Sequence, residues 1–176
     1  NIYIRNPSDT VYKSTSLTLN NTTGLYEGYI DLNAYSENGQ WVISYIEAAD
    51  IAGNRKSYFP DHPNYPQNIS GSLTVTGNLN DTTAPVVETL NLSYQADQNR
   101  FYITGRIVDD VSGFNYAHIY IRNPSNTIHK QTNLALNNAT GLYEGYIELN
   151  EYAENGQWEI LYISTADIAG NTKSYY

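Results

Sequence analysis

The chain has 176 residues, 18 of them Tyr and none of them Cys, and its 18 acidic against 9 basic side chains give a formal net charge of −9. That length can bury a real hydrophobic core without metals or disulfides, and the lack of Cys removes disulfides, Cys-ligated zinc and thiol chemistry together. The charge repels nucleic acid and anionic membrane surfaces and favours divalent cations, and no window approaches 18 apolar residues, so neither a nucleic-acid partner nor a membrane-spanning helix is expected.

Tyr, Thr, Ile, Val and Asn outweigh the helix formers, which predicts an all-β chain. The opening stretch NIYIRNPSDT is already strand and turn material, and it recurs at 118–127 as HIYIRNPSNT. Without a gap, residues 2–59 and 119–176 share 42 identities in 58 positions, which predicts one fold for both. The differences alternate. Ser14, Ser16 and Thr18 become Gln131, Asn133 and Ala135, while Thr15, Leu17 and Leu19 recur as Thr132, Leu134 and Leu136. Val42 and Ser44 likewise become Glu159 and Leu161, between the recurring Trp41, Ile43 and Tyr45 and their copies Trp158, Ile160 and Tyr162. A period of two means strands with one buried face, so Trp158, Ile160 and Tyr162 are expected in the core and Glu159 and Leu161 outside it.

Between the copies, Pro60, Pro63 and Pro66 mark an edge or bulge, after which 72–76 resembles a continuation of the preceding unit's last strand. From 86 onward the pattern predicts seven strands, at 86–94, 100–108, 116–122, 127–136, 142–149, 157–165 and from 172. Turn signals separate them at 95–98, 109–113, 123–126, 137–141, 154–156 and 167–171. Seven short strands at this spacing suggest a two-sheet sandwich of immunoglobulin type, with a jelly roll or another sandwich topology as the alternative. The expected organisation is a partial immunoglobulin-like unit at 1–77, a linker at 78–85, and a unit at 86–176 whose last strand is truncated. The first unit has no counterpart of 86–117 and is expected to expose a sheet edge and an apolar face. Three remedies are open: a longer parent chain, strands supplied by another copy, or closure by 72–76 and the linker.

Walking the strands up and down gathers Asp81, the 109–113 loop, Asn137 with Asn138, and the 167–171 loop at one end. Asp109, Asp110, Asp167 and Asn171 offer oxygen ligands, and Gly113 and Gly170 let backbone carbonyls turn inward, which suits calcium. The same residue types are common in turns because they tolerate left-handed backbone and cap their own chain. His62, His118 and His129 fall in no catalytic motif, and Asp109 and Asp110, adjacent on one turn, do not face each other across a sugar, so no enzyme is expected. Tyr26, Tyr29, Tyr143 and Tyr146 either stack on sugar rings or bridge core and solvent. Six Asn-x-Ser/Thr triplets, Asn68-Ile69-Ser70 among them, match a glycosylation acceptor, as chance produces in an Asn- and Thr-rich chain.

DTTAP at 81–85, VDDVSGF at 108–114, GLYEGYIEL at 141–149 and GQWEILYISTADIAGN at 156–171 resemble bacterial immunoglobulin-like (Big-type) repeats, which recur in tandem in large secreted or surface-attached proteins, adhesins among them. The resemblance covers 81–176 as a whole unit and 1–77 as a partial one. It implies calcium stiffening the domain junctions, with Asp81, Asp109, Asp110, Asp167 and Asn171 as the metal ligands. It further implies a non-catalytic structural or adhesive segment of a long extracellular bacterial protein, at the cell surface or secreted. Its partners would be neighbouring repeats of the same or another copy, and surface carbohydrate or protein. The alternatives are a filament subunit assembled by strand donation, or a carbohydrate-binding module of a secreted enzyme, which requires a coplanar row of exposed Tyr or Trp.

Overall fold

Alternating apolar residues between turn signals leave the backbone nothing to satisfy its hydrogen bonds but neighbouring strands, and the computed structural model, which describes residues 1–66, 69 and 71–176, is accordingly all-β. Residues 68 and 70 of the Asn68 triplet lie outside the described residues. The chain divides into two compact units, 1–82 and 83–176.

The first unit holds β1 (Ile2–Arg5), β2 (Tyr12–Thr15), β3 (Thr18–Asn20), β4 (Leu25–Glu27), β5 (Gly39–Ala49), β6 (Arg55–Tyr58) and β7 (Ser72–Val75). One antiparallel sheet runs β2-β1-β5-β6, with β7 also paired to β5, and β3 and β4 form a separate hairpin. Val42 of β5 faces Arg5 of β1 on one side and Ser72 of β7 on the other. β7 therefore lies along the same edge of β5 as β6, further down the strand.

The second unit holds β8 (Val86–Gln95), β9 (Arg100–Val108), β10 (Phe114–Arg122), β11 (His129–Asn133), β12 (Ala135–Asn137), β13 (Leu142–Glu148), β14 (Glu159–Asp167) and β15 (Thr172–Tyr175). Two four-stranded antiparallel sheets, β12-β13-β9-β8 and β11-β10-β14-β15, share one core. Phe101, Ile103 and Ile107 of β9 and Ile147 of β13 meet Ala117, Ile119 and Ile121 of β10, with Trp158 and Ile163, in the manner of a β-sandwich.

Two sequence expectations need correction. The single strand expected over 127–136 breaks at Leu134: β11 belongs to one sheet and β12 to the other. Leu134 turns into the core, 5% exposed, and its amide donates to the Ala117 carbonyl at 3.1 Å, while Leu136 beyond the break is half exposed. The crossing chain passes so close over β13 that a Cβ on Gly145 would sit 2.7 Å from the Asn133 carbonyl oxygen, so only glycine fits there. The second correction concerns the face of β14. Tyr120 pairs with Tyr162 but Ile121 with Ile160, so Leu161 is an extra residue, a β-bulge that resets the alternation. Ile163, Thr165 and Asp167 are buried in consequence, Ile160 is 36% exposed, and Tyr162 leaves the core to stack on Tyr120 with ring centroids 4.2 Å apart. β5 carries the same shift at Ser44, with Tyr3 on Tyr45 at 4.0 Å.

Candidate metal-binding loops

Because every strand pairing in the second unit is antiparallel, alternate loops return to the same end, which places 109–113, 137–141 and 168–171 together. The first of these is an Asx turn. Asp109 Oδ2 accepts from the amides of Val111 (3.3 Å) and Gly113 (2.7 Å), and Gly113 closes it at φ +85°. Asp109 Oδ1 is buried and has no hydrogen-bond partner among the described residues. Asp110 is exposed and accepts from the Thr83 hydroxyl.

The second loop closes on its own aspartate. Asp167, fully buried, accepts the amides of Gly170 and Asn171 on Oδ1 at 2.6 and 2.8 Å, and the Asn171 side-chain amide on Oδ2 at 2.7 Å. Asn171 Nδ2 also reaches the Thr83 carbonyl at 3.3 Å. Its copy in the first unit is built the same way: Asp50 accepts the Asn54 amide at 2.9 Å and the Asn54 side chain at 2.7 Å, although both residues are exposed there. The Asn54 side-chain bond holds the Asp50 carboxyl below its ordinary range. In both copies the Asp-x-x-x-Asn pair is thus the clasp of its turn.

The two loops of the second unit are tied together by backbone. The Ile168 amide donates to the Gly113 carbonyl at 3.0 Å, and the Ala169 amide to the buried Ser112 hydroxyl at 3.2 Å. Of the five expected ligands, Asp109, Asp110, Asp167 and Asn171 therefore lie on joined loops at one end of this unit. Asp81 ends the first unit, buried, with its amide donating to the Tyr35 carbonyl at 3.0 Å. Sequence reasoning passed over Thr83 and Ser112, which lie inside the quoted DTTAP and VDDVSGF stretches; their short hydroxyls reach neighbouring loops that only the fold brings near.

A second polar constellation, read from sequence only as a turn, occurs in both units. Asn123, 3% exposed, donates from Nδ2 to Ser125 Oγ (2.9 Å), Thr127 Oγ1 (3.0 Å) and Glu154 Oε2, and accepts on Oδ1 from the amides of Thr127 and Ile128. Asn6 repeats this with Ser8, Thr10 and Glu37. Each glutamate's carbonyl also accepts from a buried indole, Trp158 onto Glu154 at 3.0 Å and Trp41 onto Glu37 at 2.9 Å. Every buried donor of the asparagine is satisfied, which suits a structural staple.

Some of the tyrosines stack on one another, while Tyr26 and Tyr29 are exposed. Tyr102 and Tyr146 stack at 5.0 Å, Tyr120 and Tyr162 at 4.2 Å, and Arg100 covers Tyr146 at 3.9 Å from the ring centroid. His118 lies against Tyr116 and exposed His129 beside Asn126 Oδ1.

No curated protein and no solved structure matches the chain. Residues 79–176 match the model of one family, described as "Domain of unknown function (DUF7743)".

Proposed function

Taking as premise that the chain belongs to this DUF7743 family, we propose that it is a non-catalytic structural or adhesive segment of immunoglobulin-like repeats in a long extracellular protein, stiffened by calcium. The carrying observation is the strand order of the second unit. Lettered in chain order with β11 as C′ and β12 as D, its sheets run A-B-E-D and C′-C-F-G, the order of an immunoglobulin-type sandwich. The 42 identities in 58 positions between 2–59 and 119–176 support a tandem array, in which a unit's value lies in being repeated.

Calcium fits the donor set at the loop end of the second unit. Asp109 Oδ1, buried without a hydrogen-bond partner among the described residues, is the kind of oxygen a hard cation satisfies, and exposed Asp110 adds a second carboxylate. Asp167 and Asn171 would shape the loop, since their side chains already close it. Asp81, which the resemblance brings in as a ligand, falls within the matched span of 79–176. The ion would neutralise adjacent carboxylates and hold the loops rigid.

The test is thermal melting of the 176-residue chain in calcium and in chelator, with Asp109→Asn and Asp110→Asn beside the wild type. Calcium at a hundredfold excess over its dissociation constant would stabilise the site by about 2.7 kcal/mol, a shift of several degrees. That shift is expected to vanish in Asp109→Asn. A wild-type midpoint unmoved by chelator would remove calcium from the proposal.

A further inference from the structure

The pair Asn-Gly occurs twice in the sequence, at 38–39 and at 155–156, each time inside the repeated stretch ENGQW. In this dipeptide the backbone attacks its own side chain most readily: the amide nitrogen after an asparagine closes a five-membered ring on the carboxamide carbon, and a glycine, having no Cβ, puts nothing in the way. Packing obliges glycine at both places. The φ angle is +123° at Gly39 and +128° at Gly156, and a Cβ on either would lie 2.9 Å from the Cγ of Pro7 or Pro124.

The two turns differ in what holds the asparagine. Asn38 is clamped within the first unit: its amide donates to Asn80 Oδ1 at 2.7 Å, its Nδ2 donates to the Asn78 carbonyl at 2.9 Å, and its Oδ1 accepts the Asn78 amide at 3.1 Å. Gly39 beside it stands opposite Val75 in the β5–β7 ladder. In the second unit Asn155 is exposed, its side chain has no hydrogen-bond partner among the described residues, and Gly156 lies ahead of β14, which begins at Glu159.

We propose that Asn155-Gly156 is a site of spontaneous backbone modification, where the chain converts an asparagine into aspartyl and isoaspartyl forms, while the clamp protects Asn38. The Gly156 nitrogen gives up its proton and bonds to Asn155 Cγ; the Cγ–Nδ2 bond breaks, and Nδ2 leaves as ammonia with that proton. Water then opens the cyclic imide. Cleavage of the new Cγ–N bond yields the aspartyl form, and cleavage of the original peptide C–N bond yields the isoaspartyl form, so water is the only co-reactant. Either product puts a carboxylate beside Glu151 and Glu154, which with Asn155 line one cleft of about 340 Å³. The isoaspartyl form also adds a methylene to the backbone between Glu154 and Trp158, across which the indole reaches the Glu154 carbonyl at 3.0 Å. The modified unit therefore loses stability. The proposal goes beyond the structural role argued above and involves no metal.

The test is to age the 176-residue chain in heavy-oxygen water at mildly acid and mildly alkaline pH, reading each site by mass spectrometry of the digest and by enzymatic methylation of isoaspartyl groups. One heavy oxygen and the isoaspartyl signal should accumulate at 155, faster in alkali, as attack by a deprotonated amide requires. Position 38 should lag about tenfold or more, because its clamp must open first. In urea the two sites should react alike, since their pentapeptides are identical. Asn155→Gln keeps a carboxamide but disfavours the ring, and should leave 155 unmodified and the aged chain melting higher than aged wild type. Asn80→Gly suits the left-handed φ of +60° at that position, removes one acceptor of the clamp, and should speed the reaction at 38. Equal rates at 38 and 155 in the folded chain, or a site 155 slowed by folding as much as site 38, would overturn the proposal.

Discussion

The hexapeptide Leu-Tyr-Glu-Gly-Tyr-Ile occurs at 25–30 and again at 142–147, and the fold treats it in two ways. At 142–148 it is an unbroken strand with Ile147 4% exposed; at the earlier site the strand ends after Glu27, and Tyr29 stands in solvent. The difference is not local propensity, which is identical. In the second unit β9 supplies hydrogen bonds along one edge and Phe101, Ile103 and Ile107 over one face, whereas among the described residues of the first unit only the short β3 pairs with it. A strand is a pairing, and a sequence with full strand propensity remains unpaired where no partner arrives.

Core substitutions give the largest effects that would test this contrast. Ile121→Ala empties a fully buried site and should cost about 2–5 kcal/mol, while Ile4→Ala, at the partly exposed counterpart, should cost less than about 1 kcal/mol. Urea unfolding with a Trp→Phe change in the opposite unit gives each unit its own fluorescence signal. Equal losses would mean that the first unit is closed in solution. The tryptophans should behave alike: Trp41 and Trp158 are both buried and bond the equivalent glutamate carbonyl, so Trp→Ala at either should cost about 3–5 kcal/mol in its own unit. A loss below about 1 kcal/mol at Trp41 would show that its indole is not packed in the first unit's core.

The asparagine staples sharpen the comparison from the other side, since they are the same in both units. Asn123→Ala and Asn6→Ala each leave the amides of two neighbouring residues without their acceptor and take one donor from a glutamate carboxylate that keeps its serine, and should cost about 1–3 kcal/mol, equally in the two units. The smallest effect is expected from acid. Bonds from Asn20 to Glu27, from Asn137 to Glu144, and from Asn54 to Asp50 hold these carboxyls below their ordinary values. A carboxyl with a depressed native pKa stabilises the fold above its unfolded pKa, and the benefit disappears as the pH falls through the native value. The midpoint of thermal melting should therefore be flat near neutrality and decline below about pH 4, with similar slopes for the paired Glu27 and Glu144. Glu27→Gln and Glu144→Gln should flatten the decline slightly and to the same extent.

Much of this was legible in the residues. The Tyr- and Thr-rich composition with its turn signals fixed the all-β class, and strands at 86–94, 100–108 and 142–149 fall within a residue or so of β8, β9 and β13. The Asp109, Asp110, Asp167 and Asn171 loops were found because the spacing of antiparallel strands dictates which turns share an end. Less was legible where geometry rather than type decides. The break at Leu134 lies inside a run of good strand formers, and the sheet change there is marked only by Gly145, eleven positions away and across the sheet. The bulge at Leu161 is invisible in an alternating pattern, yet it moves Tyr162 from the core to the outer face.

What the sequence determined by itself is the content of each unit: where chain reverses, which faces are apolar, and that one pattern was written twice. Only the tertiary structure decided where a strand changes sheet, at Leu134, and where a bulge resets a face, at Leu161. Backbone groups and apolar faces are satisfied by partners distant along the chain, and among the described residues the hexapeptide at 25–30 meets β3 alone while its twin at 142–147 meets both β12 and β9.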